Sequence, residues 1–299
     1  MYDSRLFSRD DTSTTVGQFD LPANAPNFNR TGPIRRAVIV FPGTAVSITH
    51  DGGQPVVTDC NTVMFYNRNQ EYRRDRVSPE GDHCHWYHVE DGTFRDAVAA
   101  FDPAVEERGQ RPFIFDHGPC PADLFLTHRL LLEYLETTDE PDPLRVEEAV
   151  LGIVRRAVGH AYRERGARPG SLNERHHEAV EVAKAIMALH FDQPLTLERI
   201  AGAAGVSQFQ LCRLFKKRTG STVHRYLTHL RLRHALRRLP DSAGRLDALA
   251  TDLGFSSHSH FTYAFRQAFG AAPSRLAARL SRRGIAELEG MLDVRATAH

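Results

Sequence analysis

The densest set of reactive side chains lies between Gly81 and Glu90, where His83, Cys84, His85, Trp86, His88 and Glu90 fall within ten residues. Neutral imidazoles and a carboxylate are suitable ligands for zinc, iron or nickel. The same imidazoles can instead hydrogen-bond or line the pocket of an organic ligand. If the segment is a strand, His83 and His85 face one way and Cys84, Trp86 and His88 the other, because side chains alternate. The pocket reading takes His83, His85, Trp86 and His88 as an effector site and assigns no metal, no cofactor and no catalytic residue. Trp86, the single tryptophan, fits either a core or a pocket wall. Cys60, Cys84, Cys120 and Cys212 are scattered without a CxxC pair, which points to reduced thiols rather than a zinc ribbon or a disulfide framework.

A second chemistry, attraction to a polyanion, emerges when charge is divided along the chain. The net charge of +1 over 299 residues conceals 17 Lys and Arg against 7 Asp and Glu in residues 178 to 285, a local +10 set against −7 in residues 1 to 177. A basic half suits DNA, since each phosphate neutralised releases counterions. Charge alone fits a solvated face equally well.

These groups must be positioned by at least two folded units, for which the length suffices. No apolar run approaches the roughly 20 residues of a membrane helix, and Met1-Tyr2-Asp3-Ser4-Arg5 leads into no apolar segment of the kind that directs export. A cytoplasmic location without a membrane partner is expected. Residues 1 to 33, rich in Ser, Thr, Asp, Asn and Pro, read as a loosely structured lead-in. From Ile34 to about Glu90 short β-rich runs such as Ala37–Phe41, Val46–Ile48, Val56–Thr58 and Thr62–Tyr66 alternate with turn formers, as in a small sandwich or barrel. Apolar residues at three- and four-residue spacings predict helices over Ala122–Glu136 and Pro143–His160, a hairpin that closes the β domain or pairs two subunits. The charged, Gly- and Pro-broken stretch Arg163–Ser171 marks a boundary. The resulting division is 1–33 lead-in, 34–162 a β-rich unit with its helical hairpin, 163–176 linker, 177–285 a helical unit and 286–299 tail.

Beyond His177 helical periodicity takes over, and one pattern occurs twice. Leu195–Ala201 opens a short helix, Gly205-Val206-Ser207 turns the chain, and a second helix starts at Gln208. About 50 residues later Leu246–Ala250, Leu253-Gly254-Phe255-Ser256-Ser257 and a helix from His258 repeat the plan. Gly205 and Gly254 sit where a tight turn needs a left-handed residue, and Ser207 and Ser257 are placed to cap the helices that follow. Leu211, Leu214 and Phe215, or Phe261, Phe265 and Phe269, form one apolar stripe each, leaving the opposite face free. Val223 to Leu239 reads as a joining helix.

The run Ser207–Gly220, together with Ala250–Phe261, Phe265–Gly270 and Pro273-Ser274-Arg275, resembles the C-terminal domain of the AraC/XylS family of transcription regulators. The resemblance covers about one hundred residues. It implies double-stranded DNA as partner, read in two successive major-groove segments. Carried onto this sequence, Phe209, Cys212 and Arg213 face bases in the first groove with Gln208 and Lys216 at its margins, and His258, Ser259, Thr262 and Tyr263 occupy the equivalent face of the second unit. Arg213 can make a bidentate contact to guanine, while Phe209 either touches thymine methyls or packs against Leu214. Cys212 replaces the long polar residue many relatives carry. Ser207, Lys216, Lys217, Arg218, Ser257, Arg266 and Arg275 are assigned to phosphates.

The same resemblance implies an effector-binding or dimerising N-terminal half, and the β-rich text there resembles small cupin-like barrels. His83, His85 and Glu90 match a fragment of the metal-binding cupin motif, although no glycine stands six residues before His83 and no later histidine segment completes it. The expected fold is therefore α+β: a β-rich cupin-like barrel with a helical hairpin, followed by an all-α domain with two helix-turn-helix units. The expected function is sequence-specific regulation of transcription by a small-molecule effector, without catalysis, as a homodimer, and with RNA polymerase as a further partner if the protein activates. The alternative is a metal-binding cupin sensor or oxygenase fused to a DNA-binding domain.

Overall fold

The computed structural model describes residues 3–8, 14–29, 31–167, 174–242 and 244–281. Nine strands make two antiparallel sheets. The larger runs β1 (Asp3–Ser8), β2 (Thr15–Leu21), β8 (Asp82–His88), β3 (Val38–Pro42), β6 (Thr62–Tyr66) and β9 (His117–Pro119) across its width; the smaller places β4 (Val46–His50) between β5 (Val56–Thr58) and β7 (Tyr72–Arg76). The β-rich N-terminal unit thus consists of two facing sheets and does not close into a barrel. The lead-in expected over residues 1 to 33 instead supplies β1 and β2, with Gln18 opposite His85 and Val16 opposite Tyr87. Its polar composition hides strands whose stabilisation comes largely from pairing, β2 with β8 and β1 with β2, rather than from an alternating apolar face.

One face of the larger sheet looks at the smaller sheet across Val46, Ile48, Met64 and Tyr66. The other face packs under α1 (Asp91–Ala99), α2 (Ala122–Thr137) and α3 (Pro143–Ala167). The predicted hairpin is α2 and α3, the latter running seven residues past the expected His160. Arg163 to Ala167 therefore continue the helix into the stretch Arg163–Ser171 expected to mark a boundary. The core under the hairpin is continuous with that of the following helices, from Val16 and Phe41 through Leu132 and Val154 to Leu236 and Phe265. Those helices are α4 (Glu174–Leu189), α5 (Leu197–Ala203), α6 (Gln208–Thr219), α7 (Val223–Arg238), α8 (Leu246–Asp252), α9 (His258–Phe269) and α10 (Pro273–Ser281). The tail assigned to 286–299 lies outside the described residues.

Burial holds many histidines neutral. It pushes His85 and His234 down to about 3 and His229 to about 4, with nearby arginine charges adding to the effect, and it lowers His50, His88, His128 and His160 as well. Below the unfolded value of about 6.5 the unfolded chain takes up protons that the folded chain refuses, so stability falls as pH falls. We expect the thermal midpoint to drop steadily between pH 6.5 and 4. A flat midpoint over that window would contradict the burial of these rings.

Candidate nucleic-acid interface

Each reader is built the same way. α5 is capped by Thr196, whose side chain accepts from the Arg199 amide, and ends before Gly205 at φ +64°. Ser207 then caps α6 in a reciprocal box with Gln210, and Gly220 closes the helix in the left-handed region. In the second unit Gly254, at φ +75°, separates α8 from α9; Ser257 accepts from the His260 amide at 3.1 Å, and Gly270 ends α9. Leu211, Leu214 and Phe215 bury one side of α6, and Phe261, Phe265 and Phe269 one side of α9.

The opposite sides face solvent. Gln208, Phe209, Cys212, Arg213, Lys216 and Lys217 are exposed on α6 next to Ser207; His258, Ser259, Tyr263 and Arg266 are exposed on α9 next to Ser257, with Thr262 half-buried and Arg275 exposed on α10. Phe209 is 78% and Tyr263 66% exposed, so neither side chain belongs to the core. Arg218 differs: it is half-buried and lines a groove with His117 and Glu164. The phosphate role given to Arg218 thus falls on a side chain turned toward the N-terminal unit, because the last turn of α6 has rotated it off the free face.

The two turn glycines are not equivalent. A Cβ on Gly205 meets nothing within 4 Å, whereas one on Gly254 sits 2.8 Å from the Asp192 carbonyl oxygen and 2.9 Å from an Arg231 guanidinium nitrogen. Gly205→Ala should cost about 1–2 kcal/mol from backbone strain alone. Gly254→Ala should cost clearly more, since Arg231 is itself tied to the Phe191 and Gln193 carbonyls. Urea midpoints of the two variants test this, and equal losses would count against the close approach.

Joining the readers, α7 has 16 residues and so rises about 24 Å. Its inner side is not free to move alone. Arg233, 2% exposed, donates to the Asn61 side chain and the Cys120 carbonyl and lies 5.5 Å over the Phe125 ring. The Tyr226 hydroxyl donates to Asp59 at 2.7 Å, and Arg237 donates to the Gly43 carbonyl at 2.7 Å. On α4, Glu181 accepts from the Val57 amide at 2.7 Å and from Lys184 at 2.9 Å. Burial raises Asp59 against the pull of Lys184 and Tyr226, while the Lys184 charge and these hydrogen bonds outweigh burial to lower Glu181. α2 packs against both α7 and α9. None of these joint residues stood out in the sequence, where the arginines of α7 read only as a basic helix.

The histidine-rich strand divides as alternation requires. Cys84, Trp86 and His88 line a cavity of about 460 Å³ between the two sheets. His83 and His85 face away from it: His83 pairs with Asp20 at 2.5 Å and with the Glu80 carbonyl, and His85 meets the buried His128 ring edge-on at 5.4 Å. The four residues proposed as one pocket therefore serve two faces. Glu90 stands beyond the strand at the start of α1, and no group of three metal-binding side chains converges among the described residues.

Two capped helix-turn-helix units on one scaffold define a DNA-reading domain. Residues 200–279 match the family described as a helix-turn-helix domain, and this C-terminal region is of the AraC type. The chain is 29% identical over 143 residues to the transcriptional activator RhaS of Pectobacterium atrosepticum, covering 48% of this chain and 49% of the relative. It is 35% identical over 113 residues to the transcriptional regulator GlxA of Rhizobium meliloti, covering 37% and 35%. The chain thus spans about half or less of the length of these relatives. Among solved structures, an AraC-type regulator from Chromobacterium violaceum aligns with 36% of this chain and 95% of its own at 30% identity and a TM-score of 0.34. ToxT from Vibrio cholerae aligns with 92% and 96% at 12% identity and a TM-score of 0.33.

Proposed function

We propose that this protein is a sequence-specific transcription regulator that reads double-stranded DNA with α6 and α9. The observation that carries this reading is the exposed polar side of both helices, Arg213 on one and His258, Ser259 and Tyr263 on the other, each backed by a fully buried apolar stripe. In this reading the protein acts without catalysis and works in the cytoplasm. An activator would also engage RNA polymerase.

The cavity between the sheets is the effector site in this reading. Its volume falls within the usual range for small-molecule pockets, about 300–1,000 Å³, and its wall includes Trp86. Occupancy is coupled to the readers through the joint of Arg233, Tyr226 and Glu181, so an effector that shifts one sheet changes how α7 presents α6 and α9. A second copy of the chain is the partner for the outer stripe of α3, where Leu144 is 64% and Leu151 45% exposed two turns apart. The domain limits 34–162 and 177–285 are kept as functional units, with β1 and β2 added to the first.

The test is binding of the full-length protein to sites selected from genomic DNA. Specific affinity should exceed that for random DNA by about 10³-fold or more. Equal affinity for selected and random sequences at physiological salt would rule the reading out.

A further inference from the structure

The effector cavity has an interior and a mouth of opposite character. Inside, Val40, Ile48, Met64, Tyr66 and Trp86 supply an apolar wall. The one buried ion pair there, Arg74 with Asp82 at 2.6 Å, is already satisfied: Arg74 also donates to the Phe28 carbonyl and lies 5.0 Å from the rings of Phe19 and Phe28. The Trp86 indole donates to Asp3 at 2.8 Å. Apart from the Tyr66 and Tyr72 hydroxyls, such an interior offers little for a polar ligand group and suits a hydrophobic chain or ring system.

At the mouth, Arg5, Arg35, Arg36 and His88 border both this cavity and an adjoining basin of about 540 Å³, which adds Arg68 and Arg95. Five guanidinium groups there face three carboxylates, Asp3, Glu90 and Asp91. None of the five guanidinium groups has a hydrogen-bond or ion-pair partner among the described residues. Unpaired cations gathered at one rim repel each other, and a bound anion relieves that repulsion. A single carboxylate fills one bidentate fork and leaves the excess; a phosphate monoester carries nearly two charges at neutral pH and three acceptor oxygens, enough for several forks.

Resting on the effector reading above, we propose that this site takes an amphiphile whose apolar body lies between the sheets and whose phosphate or diphosphate head sits among Arg5, Arg35, Arg36, Arg68 and Arg95. The ligand class is a phosphate ester of a hydrophobic alcohol. Specificity over the matching carboxylic acid comes from the arginine rim, and specificity over inorganic phosphates from the cavity.

Trp86 is the only tryptophan, so its emission reports occupancy of the full-length protein directly. Decyl phosphate, decanoate, decanol and inorganic pyrophosphate are titrated below micelle-forming concentrations. Decyl phosphate should bind at least tenfold more tightly than decanoate and than pyrophosphate. The double variant Arg35→Gln/Arg36→Gln, both exposed positions whose loss leaves the melting curve unchanged, should erase that margin and leave decanol binding as it was. Decanoate or pyrophosphate binding as tightly as decyl phosphate, or a margin untouched by the double variant, would overturn the proposed ligand class. A probe set that leaves Trp86 emission unchanged overturns the proposed ligand class and leaves the effector reading to the DNA-binding test above. Decyl phosphate that binds as expected but leaves affinity for the selected DNA unchanged removes the effector role and keeps the binding site.

Discussion

Arg233→Ala should lower the stability of the full-length protein by about 3–5 kcal/mol, the scale for removing one member of a buried charged network. The loss has several parts. Asn61 and the Cys120 carbonyl lose their donor, the Phe125 ring loses its cation, and Asp59 is left buried with one positive neighbour fewer. A volume the size of a guanidinium opens between α7 and the sheet, with a further cost that depends on how far the site collapses. Arg233→Lys restores the charge but not the fork and should recover only part of the loss. Urea unfolding measures both. A cost under about 1 kcal/mol, within the range of ordinary surface changes, would show that the joint between sheet and reader is not held as described.

Arg213→Ala should weaken binding to the specific site by about 1–3 kcal/mol and relax discrimination at one base position. Arg213 is exposed on α6 beside Phe209 and Cys212, with no competing acceptor in the described structure, so truncation leaves the fold intact and the loss belongs to the interface. Lys217→Ala makes the control. A phosphate contact weakens specific and random DNA alike and reduces the salt slope by about one. Titrations of both variants against matched and scrambled duplexes separate the roles, and equal losses for Arg213→Ala on the two duplexes would remove it from base reading.

The readers were largely legible in the sequence because their signals are local. Glycine at a left-handed turn, serine before a helix and three aromatic residues at helical spacing each act within a few residues, and Gly205, Gly254, Ser207, Ser257 and Phe261, Phe265 and Phe269 stand where those rules place them. Alternation along Asp82–His88 was legible for the same reason. It assigns Trp86 and His88 to one face but cannot say which face holds a cavity, and the structure places His83 and His85 on the side away from the one between the sheets. What escaped depends on contacts across long separations. β2 exists because β8 offers it a partner more than 60 residues away, and β1 because β2 then offers it an edge. Arg233, 172 residues from Asn61, looks in sequence like any other arginine of a basic helix, and only the packing of α7 onto the sheet makes it structural. The rim of Arg5, Arg35, Arg36, Arg68 and Arg95 is likewise drawn from separate segments, inside a half of the chain whose net charge is negative.

The proposed coupling would run through contacts outside the cavity itself. The outer face of the larger sheet, the hairpin and the helices that follow share one continuous core, whereas the residues between the sheets form a separate cluster. In the proposed reading an effector acts by shifting the larger sheet under α2 and α7; α2 packs on α7 and α9, and α7 on α6.

Base-methylation interference on the selected DNA site examines the two-reader arrangement most directly. Two patches of major-groove contact should appear on one face of the duplex, centred about one helical turn or 10–10.5 base pairs apart, with the first lost in Arg213→Ala and the second in Tyr263→Ala. A single patch, or two patches on opposite faces, would contradict joint reading by α6 and α9.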